Sequence, residues 1–164
     1  MKYAFLILLT IVLFSCNQKT DQVQVLQNRI DSLKHEIEEA YKPGFGDFMS
    51  SLQVHHGKLW FAGQNQNWEL ADFEIHEIEE AIEDIRKYQK DRKESQMMTM
   101  IEPSLERIEV AIDQKDPVLF KKEYIELTNT CNSCHRSTDH GFIVVKSPDG
   151  PPFSNQEFQL LDKD

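Results

Sequence analysis

The amino-acid sequence predicts an all-α fold. Apolar residues recur at alternating spacings of three and four along most of the chain, which is the period of one helix face. Pro103 and Pro117 stand where a first helical turn would tolerate a missing N–H. The run GFIVVKSPDGPPF after Ser137 lacks this period, because it is β-branched and then rich in proline. We therefore expect an additional N-terminal helix, four further helices and an extended C-terminal tail.

The composition limits both the size of the core and the class of partner. The chain has 164 residues, of which 40% are hydrophobic, so it can build one modest core. Lys plus Arg total 18 against 28 Asp plus Glu, and the net charge is −10. This charge argues against a nucleic-acid binder, which needs a basic surface to follow phosphates. A partner with a basic docking surface is compatible with the acidic chain.

Residues 1–15 are expected to be a lipoprotein signal peptide. Lys2 precedes the apolar run AFLILLTIVLF, which is too short for a membrane span, since a span takes about 20 residues. The run ends in Leu13, Phe14, Ser15 and Cys16, which resembles a bacterial lipobox. The resemblance implies lipidation of Cys16 and an exported chain anchored to a bacterial membrane, facing the periplasm or the cell surface. The alternative is an ordinary secretory signal in which Cys16 is incidental.

Residues 16–42 are expected to form a lipid-anchored tether with a coiled-coil-like helix. Its apolar residues occupy the a and d positions of nearly three heptads: Val23, Leu26, Ile30, Leu33, Ile37 and Ala40. A helix this short is marginal alone, so the stripe either packs on the main domain or pairs with a second copy of the chain. The second arrangement would make a homo-oligomer through residues 20–42. Pro43 and Gly44 end the helix.

Residues 43–164 are expected to form a helical domain. The predicted helices are about Gly46 to Ala62, Asn67 to about Lys93, a segment that contains Pro103, and a segment that begins at Asp116 and Pro117. The second of these has the most regular core stripe, because isoleucines repeat at helical spacing while Glu and Asp crowd the opposite face. In the last helix, Cys131 and Cys134 continue the core stripe.

The segment Cys131 to His135 is C-x-x-C-H, the attachment signature of a c-type haem. Two thiols three residues apart can each form a thioether with a haem vinyl, while the adjacent His135 offers an imidazole nitrogen to the iron. The alternative is a dithiol of redox or zinc type. Zinc would need two further ligands, and the sequence has no second C-x-x-C pair. The motif therefore predicts one covalent haem c, held by Cys131 and Cys134, with His135 as the proximal iron ligand.

A haem-attachment motif near the end of the last helix of an all-helical chain resembles the class II cytochromes c, the cytochrome c prime group. The resemblance covers about Phe45 to Arg136 and implies a four-helix bundle with the haem inside. Those proteins end soon after the motif, whereas 29 residues follow His135 here. The segments HHGKLWFAG, NWELADFEIHEIEE and CNSCHRSTDHGFIVVKSPDGPPFSNQEF are also similar to a family of uncharacterised exported bacterial monohaem proteins.

The sixth position on the iron separates an electron carrier from a gas-binding protein. His56 shares a helix face with Met49 and apolar residues, and an imidazole buried there would need a partner such as iron. Met49 is a rival, because low-spin class II cytochromes use a methionine early in their first bundle helix. His55 lies about 100° further round the helix, and an open site is the remaining alternative. Arg136 is a candidate neighbour of a haem propionate, and His140 is a candidate iron ligand or propionate neighbour.

Two protein ligands would close the iron to substrates. The motif and the resemblance therefore predict a membrane-anchored monohaem cytochrome c that carries single electrons between exported redox partners. It would not be an enzyme, because no distal acid–base set for a peroxidase is recognisable. The alternative is a five-coordinate haem that binds nitric oxide or carbon monoxide as a sensor or scavenger, as cytochrome c prime relatives do.

Overall fold

A computed structural model describes residues 22–37, 40 and 43–160. These residues form helices, turns and irregular segments without a strand, so the prediction of an all-α fold is confirmed. The chain divides between residues 42 and 43 into two compact units. The expected signal peptide and the lipidation of Cys16 lie outside the described residues. In the part of the chain that is described, every helix is too short or too polar to cross a membrane.

The first unit contains one described helix, α1, which spans residues 22–37. Side-chain pairs one turn apart support it, as where Gln24 Nε2 donates to Asn28 Oδ1 at 3.1 Å and Gln27 Nε2 donates to Asp31 Oδ1 at 3.1 Å. Its apolar a and d side chains between Val23 and Ile37 are all exposed. The helix therefore presents an apolar stripe to solvent.

The second unit contains four longer helices and two short ones. They are α2 (Phe45–Gln64), α3 (Trp68–Tyr88), α4 (Lys93–Gln96), a 3₁₀ turn (Met98–Met100), α5 (Glu102–Asp113) and α6 (Pro117–Ser137). Helix α2 packs on α3 and α6, and α5 packs on α6 and α3. The four longer helices thus enclose a common core between them.

Side-chain caps begin two of these helices where the sequence predicts them. Asn67 Oδ1 accepts from the backbone N–H of Leu70, and Asp116 Oδ1 accepts from the N–H groups of Val118 and Leu119. The predicted end of α3 near Lys93 is wrong, because the helix stops at Tyr88. The apolar stripe ends at Ile85, so the polar residues beyond it have no core face to continue.

The core is closely packed where α2 meets α6. Gly63 lies against the ring of Phe120, and a Cβ atom at this glycine would stand 2.1 Å from Phe120 Cε1. The ring of Phe120 is fully buried and contacts the rings of Trp68 and Tyr124, with centroids 6.0 and 6.1 Å away. The absence of a side chain at Gly63 therefore permits the close approach of the two helices.

The segment after α6 has no regular secondary structure up to residue 160, as its composition predicts. Its far end is fastened to the helices by Phe158, which is buried and packs against Phe61 with ring centroids 5.6 Å apart. The backbone carbonyl of Phe158 also accepts from Asn67 Nδ2 at 3.3 Å. The tail therefore lies on the second unit rather than extending away from it.

Candidate functional site

A cavity of about 350 Å³ lies at the C-terminal end of α6. Cys131, Cys134 and His135 all line it, so the three chemically active residues of the motif share one wall. Helix α6 places them there because residues three and four apart lie on the same helix face. The volume lies within the range of cavities that bind small molecules and cofactors.

The two thiols are held in the neutral form. Burial, together with the neighbouring Cys134, raises the pKa of Cys131 to about 11. Burial also raises the pKa of Cys134, and the charge of Glu94 acts in the same direction. A thiol of this kind is a poor nucleophile, whereas dithiols that exchange with disulfides have lowered pKa values. The environment therefore disfavours a redox-active dithiol.

The ring of His135 is held in a defined tautomer. Its Nδ1 lies 2.9 Å from the backbone carbonyl oxygen of Ile143. A carbonyl oxygen can only accept, so Nδ1 carries the proton and Nε2 keeps a lone pair. Histidines that bind metals through Nε2 are held in the same way, by a carbonyl or carboxylate on the other nitrogen. The imidazole is thus prepared to act as a metal ligand.

The other walls of the cavity are apolar and rich in thioethers. Phe45 and Leu52 of α2, Ile82 of α3 and Ile101 line it, together with the methionines Met49, Met97, Met98 and Met100. One cation also lines the cavity: the guanidinium of Arg92 lies 4.7 Å from the ring centroid of Phe45 and 2.9 Å from Glu94 Oε1. Glu94 lines the cavity as well, so the walls suit a large apolar group and the paired charges of Arg92 and Glu94 stand at its polar part.

His56 does not line the cavity. Its burial is as expected, but its Nε2 lies 2.9 Å from Thr128 Oγ1 and its Nδ1 lies 2.9 Å from the hydroxyl of Tyr124. The partner that a buried imidazole needs is therefore found within the protein, because α6 supplies a hydroxyl for each nitrogen. Burial also lowers the pKa of His56 to about 4, so the ring is neutral at pH 7. The described geometry gives no support to His56 as an iron ligand.

His55 faces α3 instead. Its Nδ1 lies 2.7 Å from Glu74 Oε2, and the Glu74 side chain is buried. Lys58 Nζ lies 3.7 Å from the second carboxylate oxygen of Glu74, which joins the three side chains in one cluster. Because its ring is occupied between α2 and α3, His55 is not brought to the cavity either.

Of the two candidate ligands on α2 other than His56, the structure therefore brings Met49 to the cavity and not His55. His140 also lines the cavity, whereas Arg136 does not and its guanidinium donates to Ser133 Oγ at 2.9 Å. The arginine that lines the cavity is Arg92. The sequence gives little warning of this, because Arg92 lies in the polar loop between α3 and α4, far from the motif.

Away from the cavity, the described residues contain one group of three side chains whose metal-ligand atoms lie close together. His76, Glu79 and Glu109 have ligand atoms within 4.8 Å of one another, but His76 is exposed and its Nδ1 bonds the carbonyl of Asp72. The cysteines belong to no such group of three in the described part, which disfavours the zinc alternative.

Comparisons with protein-family models, with curated protein sequences and with solved structures find no match for this chain.

Proposed function

We propose that this chain is a lipid-anchored, exported monohaem c-type cytochrome that carries single electrons between exported redox proteins. In this proposal the four longer helices form a four-helix bundle, and one haem c is bound in the cavity at the end of α6. The observation that carries the proposal is the cavity wall on which two neutral thiols stand beside His135, whose Nδ1 is occupied and whose Nε2 is free.

The residues around the cavity fit such a group. Cys131 and Cys134 would hold it through thioethers, and His135 Nε2 would be the proximal ligand. Arg92 would neutralise a propionate, because its guanidinium lies in the cavity lining and is already oriented by Phe45 and Glu94. When bound, haem c supplies an iron that changes oxidation state by one electron.

Met49 is the sixth ligand in this proposal. Its thioether lines the cavity, whereas His56 and His55 have partners elsewhere. A thioether paired with a histidine raises the reduction potential relative to two histidines. The apolar residues Leu52 and Ile82 line the same cavity and would limit the access of water to that side.

The proposed export and anchoring rest on residues 1–16, whose short apolar run and Cys16 resemble a bacterial lipoprotein signal. Thioether attachment outside the cytoplasm and a lipidated Cys16 are consistent with each other. The acidic chain would dock a partner with a basic surface, and such pairing would speed association at low salt. The exposed stripe of α1 would allow two copies of the chain to associate.

Mass spectrometry and visible spectra of the purified full chain test this proposal. We expect the mass of one covalent haem, and a low-spin spectrum that carbon monoxide leaves unchanged. M49L should convert the spectrum to high spin and make it sensitive to the gas. M98L is the matched control, because Met98 lines the same cavity and should leave the spectrum low-spin.

Two results would count against the proposal in different ways. A bare polypeptide mass would exclude the covalent haem altogether. A haem protein that is high-spin and shifts with carbon monoxide would instead favour the five-coordinate alternative, a sensor or scavenger of nitric oxide or carbon monoxide. The five-coordinate alternative is supported by the hydrogen bonds of His56 to Tyr124 and Thr128, which leave this imidazole without a nitrogen directed at the cavity.

A further inference from the structure

A short segment of the tail is fastened to the haem-attachment motif by an asparagine side chain. Asn132, the first variable residue of C-x-x-C-H, accepts from the backbone N–H of Val145 at 2.8 Å and donates through Nδ2 to the carbonyl of Val145 at 2.8 Å. The amide thus makes the same two bonds that an opposed residue would make in an antiparallel sheet. We call residues 143–145 together with Asn132 the clasp.

The chain reverses to reach this position. Thr138 caps the end of α6 through its backbone N–H, which donates to the Cys134 carbonyl, and Asp139 then adopts a φ of 64°. The backbone N–H of His140 donates to the His135 carbonyl, and that of Ile143 donates to the His140 carbonyl. These turns bring residue 143 beside the last turn of the helix, where its carbonyl accepts from His135 Nδ1.

Apolar burial contributes little to holding this segment. Phe142 is 80% exposed, Val144 is 73% exposed and Ile143 is 47% exposed. The two bonds from Asn132 are therefore the main described attachment of Val144 and Val145. Without them, only the two backbone turns would hold the carbonyl of Ile143 on the ring of His135.

We infer that Asn132 is a positioning residue for the proximal histidine: by closing the clasp, it holds the Ile143 carbonyl on His135 Nδ1 and so keeps Nε2 available to the iron. This inference rests on the proposed function for the role of the iron, but its structural part concerns the tautomer of His135 alone. A hydrogen bond to Nδ1 makes the imidazole a stronger donor, which favours the oxidised metal. Opening the clasp should therefore raise the reduction potential.

The test compares N132A with S133A in the full chain. Ser133 is the other variable residue of the motif, and its hydroxyl donates within α6 to the Asn129 carbonyl, so S133A leaves the clasp intact. We expect N132A to increase amide hydrogen exchange at residues 143–145. In the chain before haem attachment, where both tautomers of His135 are accessible, N132A should lower the population ratio of the Nδ1–H tautomer by about fivefold, which corresponds to the loss of one ordinary hydrogen bond. In the haem-loaded chain, coordination of Nε2 would fix the tautomer, so there the midpoint potential is the measurement. The tautomer is read from the ring nitrogen resonances, and the midpoint potential should rise.

N132D provides a second variant that keeps the size of the side chain. It retains an acceptor for the Val145 N–H but places a carboxylate oxygen against the Val145 carbonyl, so it should also open the clasp. The inference is overturned if either variant frees residues 143–145 while the His135 tautomer and the potential stay as in wild type. It is equally overturned if neither variant loosens the segment.

The two proposals fail separately. A wild-type chain whose mass shows no haem would end the proposed function, yet the tautomer of His135 in that chain would still decide the role of Asn132. A chain that carries haem and has the same midpoint potential in wild type, N132A and S133A would end the inference and leave the cytochrome proposal standing.

Discussion

Helices α1 and α3 carry nearly the same apolar repeat but have opposite surroundings. In α1, five side chains at spacings of three and four are between 46% and 67% exposed: Val23, Leu26, Ile30, Leu33 and Ile37. In α3, five side chains at the same kind of spacing are at most 2% exposed: Ala71, Ile75, Ile78, Ile82 and Ile85. The repeat therefore predicts a helix and its apolar face in both places, whereas the burial of that face depends on neighbouring helices.

The largest expected effect comes from placing a charge in each stripe. I75D buries an unpaired carboxylate in the core and should cost more than about 4 kcal/mol of unfolding free energy, enough to unfold a marginal domain. I30D places the same group on the exposed stripe and should change the unfolding of the domain by less than about 0.5 kcal/mol. Thermal unfolding followed by circular dichroism measures both. Equal losses would mean that the two stripes are equally buried in solution.

The next effect is the pH dependence conferred by His56 in the core. Burial lowers its pKa from 6.5 to about 4, so below pH 6.5 the unfolded chain binds a proton that the folded chain does not. The contribution of His56 to the free energy of unfolding should be fully present above about pH 6.5. It should be lost as the pH falls from 6.5 to 4, by about 3 kcal/mol in total. Denaturant unfolding of wild type and H56Q at several pH values gives the difference. A difference that does not vary with pH would show that His56 is as basic as a solvated histidine.

A smaller effect should come from the packing of α2. G63A places a methyl group 2.1 Å from the Phe120 ring, so it should cost about 2 kcal/mol of unfolding free energy through overpacking. G57A is the control on the same helix, because its methyl group would lie 3.7 Å from Pro152 Cγ, an ordinary contact. There the higher helix propensity of alanine should stabilise the domain by up to about 1 kcal/mol. Similar behaviour of the two variants would contradict the close approach of α2 and α6.

The smallest effect on the fold, and the one that addresses α1 directly, concerns self-association. We expect the soluble chain that begins at residue 17 to sediment as a larger species with rising concentration, and I30D to suppress this. The unfolding of residues 43–160 should be unaffected, because the chain divides into separate compact units at residue 43. Identical sedimentation of wild type, I30D and a chain lacking residues 20–42 would exclude α1 as a site of self-association.

Much of the fold was predictable because its signals are local. Asn67 and Asp116 act on N–H groups two or three residues away, so their capping roles follow from the sequence. The end of α3 was not predictable from the sequence, because polar residues after Ile85 are compatible with a solvated helix. The end at Tyr88 depends on how the next segment packs. The motif residues were predictable as a group for the same local reason, since their spacing places them on one face of α6.

The partners of single side chains were less accessible to sequence reasoning. The burial of His56 follows from the apolar pattern of α2, but its hydrogen bonds join it to Tyr124 and Thr128, which are 68 and 72 residues away. A buried imidazole needs partners, and the pattern cannot distinguish a hydroxyl on a facing helix from a metal ion. Met49 presents the same difficulty, because the sequence around a methionine on a core face does not show whether its thioether packs in the core or binds a metal.

The sequence by itself determined the helices, their caps and the grouping of Cys131, Cys134 and His135, because each of these depends on residues within about one helical turn. The tertiary structure alone decided that α6 would satisfy His56, that Arg92 would reach the cavity and that the tail would return to place the Ile143 carbonyl on His135. The physical reason is that a buried polar group needs a hydrogen-bond partner. Helix packing and chain reversal decide which group comes within 3 Å of it, and these groups are too far apart in the sequence for a local pattern to predict the pair.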